Sequence, residues 1–436
     1  MKGHSIYIVI LSAVFLSIAI FFSLFPRSTY SQLEKRDLAQ FPEYTPERLA
    51  DASFTKEISA WFSDSEPGRD HLMALSMILK DAAALSVGSE EEAVKFHAAA
   101  PAQPAEEPKE EDGRNVGEYH NNITADDNAK IADAGIIIIG SGDKVRALMA
   151  YGGGPDGGAG YAEAANAYKK AFPGVNVYCM VAPIATDFYV PEKARKSTKM
   201  QLPTINHIHS LLDKEVKAVD VYTVLGEHAA EPIYLRTDHH WSPLGAFYAA
   251  RKFAQVAKVP FRELSSYDRH VIRNFVGSMY GYSKDISVKK APEDFVFYTP
   301  KDIDYSTTYV DYTVGKSFKV EKESAPAKGE FFYKFHDGSG AAYCTFMGSD
   351  KRLTHVSTGT KNGRRLLILK DSYGNAIPGY LFYSFEEIHV VDFRYFNKNL
   401  RKYVKENKVT DILFANNTFN AYSPKTRDRY MRFLDQ

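Results

Sequence analysis

Four apolar residues in a row, Leu366-Leu-Ile-Leu369, run straight into Lys370-Asp-Ser-Tyr-Gly374, and this junction constrains the fold more than any other stretch. A short uninterrupted apolar run reads as a buried strand. Asp371, Ser372 and Gly374 then call for a sharp turn, after which the chain resumes a helical register towards Pro378. A serine at a strand-to-helix turn is presented on a rigid scaffold. Its Oγ lies near the positive end of a helix dipole, where an alkoxide or a bound oxyanion is stabilised. Asp and Ser are also ordinary helix N-caps, so this stretch alone admits a purely structural reading.

Strands and helices alternate around it. Ala134–Ile139, Val175–Ala182 and Ala218–Tyr222 read as strands, and Tyr161–Ala171 and Pro203–Lys214 as helices. Beyond the serine turn come a strand at His389–Phe393, a helix at Leu400–Asn407 and a last strand at Thr410–Ala415. That order predicts an α/β domain of three layers with a mainly parallel sheet. Residues 267–350 are richer in strands, with Asp294–Tyr298 and Tyr305–Val314 reading as an inserted β-hairpin or meander. Ligands of open α/β sheets sit beyond the carboxyl ends of the strands, where this reading places Ser372, Arg394 and Asn416. Arg394 or Asn416 could donate to an oxyanion, or serve as a salt bridge or turn amide.

A second polar stretch, Thr237-Asp-His-His-Trp241, precedes Ser242-Pro243, an N-cap followed by proline at the first helical position. In an extended chain Asp238 and His240 share one side and His239 takes the other. An acid beside a histidine fixes the ring's tautomer and stabilises the imidazolium during proton transfer. Three readings stand: base and orienter of a serine triad, a metal site, or a hydrogen-bonded lead-in to the helix. His207 and His209 form a His-x-His, but on a helix these positions do not share a face.

Lys+Arg and Asp+Glu both total 54, and this balance argues against a nucleic-acid partner. The two cysteines, Cys179 and Cys344, form no CxxC pair; whether they bond to each other is left open. Residues Ser5–Phe25 carry no charge, enough to cross a bilayer, and no Ala-x-Ala site follows. The expectation is a signal anchor or transmembrane helix over 1–26, with the remainder outside the cytoplasm. A helical segment is expected over 27–86 and a flexible low-complexity insertion over 87–117, where EEE, AAAPAQPAEEP and KEEDGR crowd together.

Thr237–Trp241, Val181–Tyr189, Leu369–Ala376 and Val391–Phe396 together resemble the DHHW protein family, which is similar to the alginate O-acetylation proteins. Glu34–Leu38 and Ser65–Asp70 fit the same pattern. The resemblance implies an SGNH-hydrolase-like domain over 118–436. It implies Ser372 as nucleophile, His240 as base and Asp238 as orienter, with Arg394, Asn416 and Tyr373 as oxyanion or substrate-binding candidates. No metal and no cofactor are implied. Lys370 stands where the family's serine block has glycine, and Gly277-Ser278 is a candidate donor block. The expected activity is extracytoplasmic O-acetyl transfer to a cell-surface or exopolysaccharide through an acetyl-enzyme, supplied by a membrane-bound O-acyltransferase partner. The alternatives are a carbohydrate acetylesterase of the same fold and a non-catalytic polysaccharide-binding assembly protein.

Overall fold

The computed structural model describes residues 135–314 and 320–435 without a break, and upstream of them residues 95–97 and parts of 13–75. The chain divides into two units, residues 1–91 with 284–286, and the remainder. In the first unit a helix over Ser53–Asp64 carries Trp61, and the Arg27 guanidinium lies 4.1 Å from its ring centre. Thr45 Oγ1 accepts from Arg48 N where Pro46 opens a short helix, as its sequence signature predicts. The expected anchor over 1–26 lies largely outside the described residues; among these, no helix is long and apolar enough to cross a membrane. Most of the expected flexible insertion over 87–117 also lies outside them.

The second unit is built on an eight-stranded mixed sheet. Its strands are β1 (Asn176–Ala182), β2 (Val216–Val219), β3 (Tyr305–Val310), β4 (Ala327–Gly329), β5 (Leu353–Thr358), β6 (Arg365–Lys370), β7 (Glu387–Asp392) and β8 (Asp411–Asn417), in the spatial order β4-β3-β5-β7-β6-β8-β1-β2. The five strands from β7 to β2 are parallel, and β5, β3 and β4 extend the sheet antiparallel.

The parallel strands read as apolar runs because both faces are covered. Along β1, Val177, Cys179 and Val181 face one core while Tyr178, Met180 and Ala182 face the other. On the first face pack α1 (Ala159–Ala171), α2 (Leu202–Ser210) and the helices over Leu400–Glu406 and Pro424–Asp435, with Tyr161, Tyr168, Tyr403 and Tyr430 buried between. On the second face lies α3 (Pro243–Ala257), bringing Phe247 and Phe253 to the sheet. Ser242 Oγ caps α3 by accepting from Gly245 N at 3.2 Å, and Pro243 is its first residue, as the sequence predicts.

Three expectations are corrected. Ile136–Ile139 does not join the main sheet; it pairs antiparallel with Arg146–Met149 and with Lys95–His97, the last from within the predicted flexible insertion. Four isoleucines satisfy any apolar neighbour and carry no information about which one. Asp294–Tyr298 and Tyr305–Val314 do not form one hairpin. Glu293–Pro300 pairs with Tyr267–Phe275, whereas β3 adds to the main sheet beside β5. The residues after Ser372 form two short 3-10 turns, Ser372–Ala376 and Pro378–Leu381, rather than an α-helix, so no extended helix dipole points at the serine.

Candidate active site

Thr237–Trp241 is a tight loop, not an extended segment. Tyr234 and Trp241 bridge antiparallel across its base, and Leu235 N donates to His240 O. Asp238 bends back on itself: its Oδ1 accepts the backbone N–H of His240 at 3.0 Å, an Asx turn. The same oxygen lies 2.6 Å from His240 Nδ1. Asp238 and His240 are thus joined through a local turn rather than through strand alternation. His239 is not turned away, because its ring centre lies 3.7 Å from that of His240.

The other ring nitrogen, His240 Nε2, is 2.8 Å from Ser372 Oγ. The structure therefore brings Asp238, His240 and Ser372 into one hydrogen-bonded line across 132 residues of sequence between histidine and serine. All three are buried, with Ser372 only 2 % exposed. Burial pushes the Asp238 carboxyl up, but the His240 ring and the donated hydrogen bonds overcome it and hold the pKa well below the usual carboxylate range.

Two bonds stitch the motifs to each other. Trp241 Nε1 donates to the Tyr373 carbonyl at 2.9 Å, and the Tyr373 hydroxyl donates back to the His239 carbonyl. Tyr373, a candidate substrate-binding residue, is engaged in this joint. Tyr343 lies flat against His240, ring centres 3.9 Å apart and planes 6° from parallel. Its hydroxyl donates to the same Tyr373 carbonyl at 3.3 Å.

The loop is held from below by Glu293, which sequence reasoning missed, and by Gly277-Ser278. Glu293 takes the N–H groups of Arg236 and Thr237 and the Thr237 hydroxyl on its carboxylate. Ser278 N donates to Asp238 Oδ2 at 2.9 Å, and Gly277 N donates to Thr237 Oγ1. Gly277-Ser278, a candidate donor block, is thus bound to the Asp238 loop. A Cβ on Gly277 would lie 2.4 Å from Asp238 Cβ and 2.5 Å from Oδ2, so glycine is required there for space. Gly277→Ala is expected to displace the Asp238 carboxylate and lower turnover of an ester substrate about 100-fold while KM changes little; steady-state kinetics on the folded variant check it.

The serine turn rests on a buried charge cluster. Lys370 Nζ lies 2.7 Å from Asp392 Oδ2 and 3.5 Å from Asp350 Oδ1. Arg394 sets Nη2 2.7 Å from both Asp350 and Asp392, and its Nε donates to Asp392. Asn375, inside the serine turn, donates to Asp350 at 2.8 Å. Lys370, where the resemblance expected glycine, thus closes an ion cluster under the turn. Arg394→Leu would leave two buried carboxylates sharing one lysine and is expected to destabilise the fold by about 3–5 kcal/mol, read from denaturant midpoints.

Asn416 does not join the serine. Its Oδ1 accepts from the Tyr161 and Tyr430 hydroxyls at 2.8 and 2.6 Å, on the face covered by α1, whereas His240 and Ser372 are approached from the α3 side. Asp371 is the residue that ties β8 to the turn: it accepts from Tyr373 N, Asn417 N and Asn420 Nδ2.

Beside the triad a small cavity of about 10 Å³ is lined by Met149, Ile184, His239, Tyr282, Tyr373, Asn417 and Phe419. His239 presents a neutral ring there. Burial and the adjacent His240 lower its pKa to about 3, and its Nδ1 lies 2.6 Å from Ser278 Oγ. Asp238, His239 and His240 also cluster closely enough to offer three metal-ligand atoms. Asp238 and His240 already place both ring nitrogens in the line to Ser372.

Residues 157–391 match the model of the DHHW protein family. A DHHW family protein from Eubacterium siraeum superposes with a TM-score of 0.61 at 39% identity, covering 68% of this chain and 95% of its own. Bacillus cereus PatB1, solved with a sulfonyl adduct, superposes with a TM-score of 0.52 at 20% identity over 68% of this chain and 97% of its own, a likeness of fold. The O-acetyltransferase domain of Pseudomonas putida AlgJ matches 63% of this chain and 87% of its own at 12% identity and a TM-score of 0.33, too loose to carry an argument. No curated protein matches the chain.

Proposed function

The chain belongs to the DHHW protein family, and from that membership and the 2.8 Å contact of His240 with Ser372 we propose that it transfers an acetyl group through a covalent acetyl-Ser372. Ser372 Oγ attacks the carbonyl of an acetyl donor while His240 Nε2 takes its proton; Asp238 holds Nδ1–H and stabilises the imidazolium. The proton passes to the departing donor group as the tetrahedral intermediate collapses. A polysaccharide hydroxyl then attacks the acetyl-enzyme, giving its proton to Nε2, and Ser372 recovers that proton as it leaves.

The setting we propose is a membrane-anchored protein with this domain outside the cytoplasm, receiving acetyl groups from a membrane-bound O-acyltransferase.

The test incubates the full chain with a chromogenic acetate ester, with and without an oligosaccharide acceptor. Acetylated oligosaccharide forming faster than free acetate supports transfer. Acetate alone, at a rate indifferent to acceptor, makes the same site a carbohydrate esterase. No turnover together with glycan binding unaffected by Ser372→Ala makes it a binding protein.

A further inference from the structure

A second polar cluster lies on the sheet away from the serine, and the mechanism makes no use of it. His355 on β5 and His389 on β7 are direct partners across the antiparallel pair, and Glu387 lies two residues before His389 on the same strand. In a strand, positions two apart share a face, so all three side chains rise on one side. The imidazole rings stack with centres 4.6 Å apart.

The Nε2 atoms of both histidines are buried and have no hydrogen-bond partner. Both lie near one carboxylate oxygen: Glu387 Oε2 is 3.6 Å from His355 Nε2 and 3.5 Å from His389 Nε2. Those separations are too long for hydrogen bonds. They are close to the spacing of two donors around a tetrahedral ion with bonds of about 2.0–2.1 Å, roughly 3.3–3.4 Å.

The surroundings fix the rings for that purpose. His389 is 1 % exposed, and its Nδ1 lies 2.7 Å from the Tyr403 hydroxyl. In the tautomer that donates Nδ1–H to Tyr403, Nε2 carries the lone pair, the arrangement by which a second partner orients a metal-binding histidine. Burial, then the neighbouring His389, lower the pKa of His355, against the raising effect of Glu387. The Glu387 carboxyl is pulled down to about 2, first by the facing His389 side chain, with Arg365 and His355 also contributing. Arg365 approaches the other oxygen, Oε1, at 3.8 Å and leaves Oε2 to the histidines. Among the described residues, Arg365 is the cation in contact with the carboxylate that opposes a metal ion. The side chains of His355 and Glu387 are 34% and 24% exposed, which gives an ion a way in and leaves room for a water ligand.

We propose that His355, Glu387 and His389 bind one divalent ion of the zinc class through two imidazole nitrogens and one carboxylate oxygen. This ligand set suits borderline ions and not magnesium or calcium, which take oxygen ligands. The site clamps β5 to β7 at the junction where the sheet changes from antiparallel to parallel.

The experiment titrates zinc into the chelator-treated full chain by calorimetry and repeats it with His355→Gln, a half-exposed position whose replacement leaves the core intact. One equivalent bound, weakened roughly 100-fold or more by His355→Gln with ester turnover unchanged, is the expected result. Glu387→Gln is expected to weaken binding similarly. His240→Ala, which empties the other His-containing cluster, is expected to retain the ion. Failure to bind zinc, or zinc held equally by His355→Gln and lost in His240→Ala, overturns the proposal. Cobalt substitution gives a readout independent of affinity: tetrahedral d–d bands in the parent chain that vanish in His355→Gln.

Discussion

Ser372→Ala is expected to lower ester turnover by roughly 10⁴–10⁶-fold, the scale on which removing the nucleophile of a serine triad acts. Ser372 Oγ is the atom 2.8 Å from His240 Nε2, and among the described residues no other hydroxyl lies at hydrogen-bond distance from that nitrogen. The cost to folding is of a different order. Removing the hydroxyl leaves one buried imidazole nitrogen without its partner, which costs about 1–3 kcal/mol. The turn itself survives, because Asp371 and not Ser372 binds Tyr373 N, Asn417 N and Asn420 Nδ2. A folded, inactive variant is therefore the expected outcome, checked by circular dichroism beside kinetics. An aryl sulfonyl fluoride, which reacts with an activated serine hydroxyl, is the probe. It should modify the parent at one site and leave Ser372→Ala unmodified, as intact mass reports. Turnover within tenfold of the parent would remove Ser372 as nucleophile.

What could be seen in the sequence was whatever is decided within a few residues. The cap and proline at Ser242-Pro243 fix where α3 begins because both act on the first helical turn. Asp238 and His240 meet through an Asx turn two residues long, so their pairing was visible even though the strand argument offered for it was wrong. The strand ending at Lys370 and the turn after it were visible for the same reason. What was not visible depends on contacts across long stretches of chain. Tyr343 stacks on His240 from about a hundred residues away, and nothing around Tyr343 marks that ring as different from the chain's other tyrosines. Glu293 and Gly277 are needed only because the Thr237–His240 loop arrives above them. Arg394 and Asn416 were correctly placed at strand ends, but strand position does not say which face a side chain takes or which charges lie beside it. Asn416 faces two tyrosines, and Arg394 faces two aspartates. Family resemblance joined Asp238, His240 and Ser372 where spacing could not, since the three come together only when α3 and β6 are packed on one sheet.

Asp238→Asn is expected to lower turnover by about 10⁴-fold with little change in ester KM, the effect of a wrong tautomer in a triad. The present hydrogen bonds show why an amide cannot replace the carboxylate. Asp238 Oδ1 accepts from His240 N and pairs with Nδ1, and Oδ2 accepts from Ser278 N. All the groups around the carboxylate are donors. An asparagine NH₂ in the Oδ2 position would face the Ser278 N–H. In the Oδ1 position it would face the His240 N–H and turn Nδ1 into an acceptor, which moves the ring proton to Nε2. A protonated Nε2 cannot take the proton of Ser372. The same substitution has a signature in stability. Because the folded pKa of Asp238 is depressed, its contribution is present above the unfolded value of about 3.9 and is lost as pH falls through the lower folded value. The gap in unfolding free energy between the parent and Asp238→Asn should therefore be widest at neutral pH and close progressively below about pH 4. Denaturant titrations at pH 7, 5 and 3 measure that gap. A gap that does not change with pH, or turnover above a tenth of the parent, would show that the carboxylate neither holds its charge on His240 nor sets the ring's tautomer.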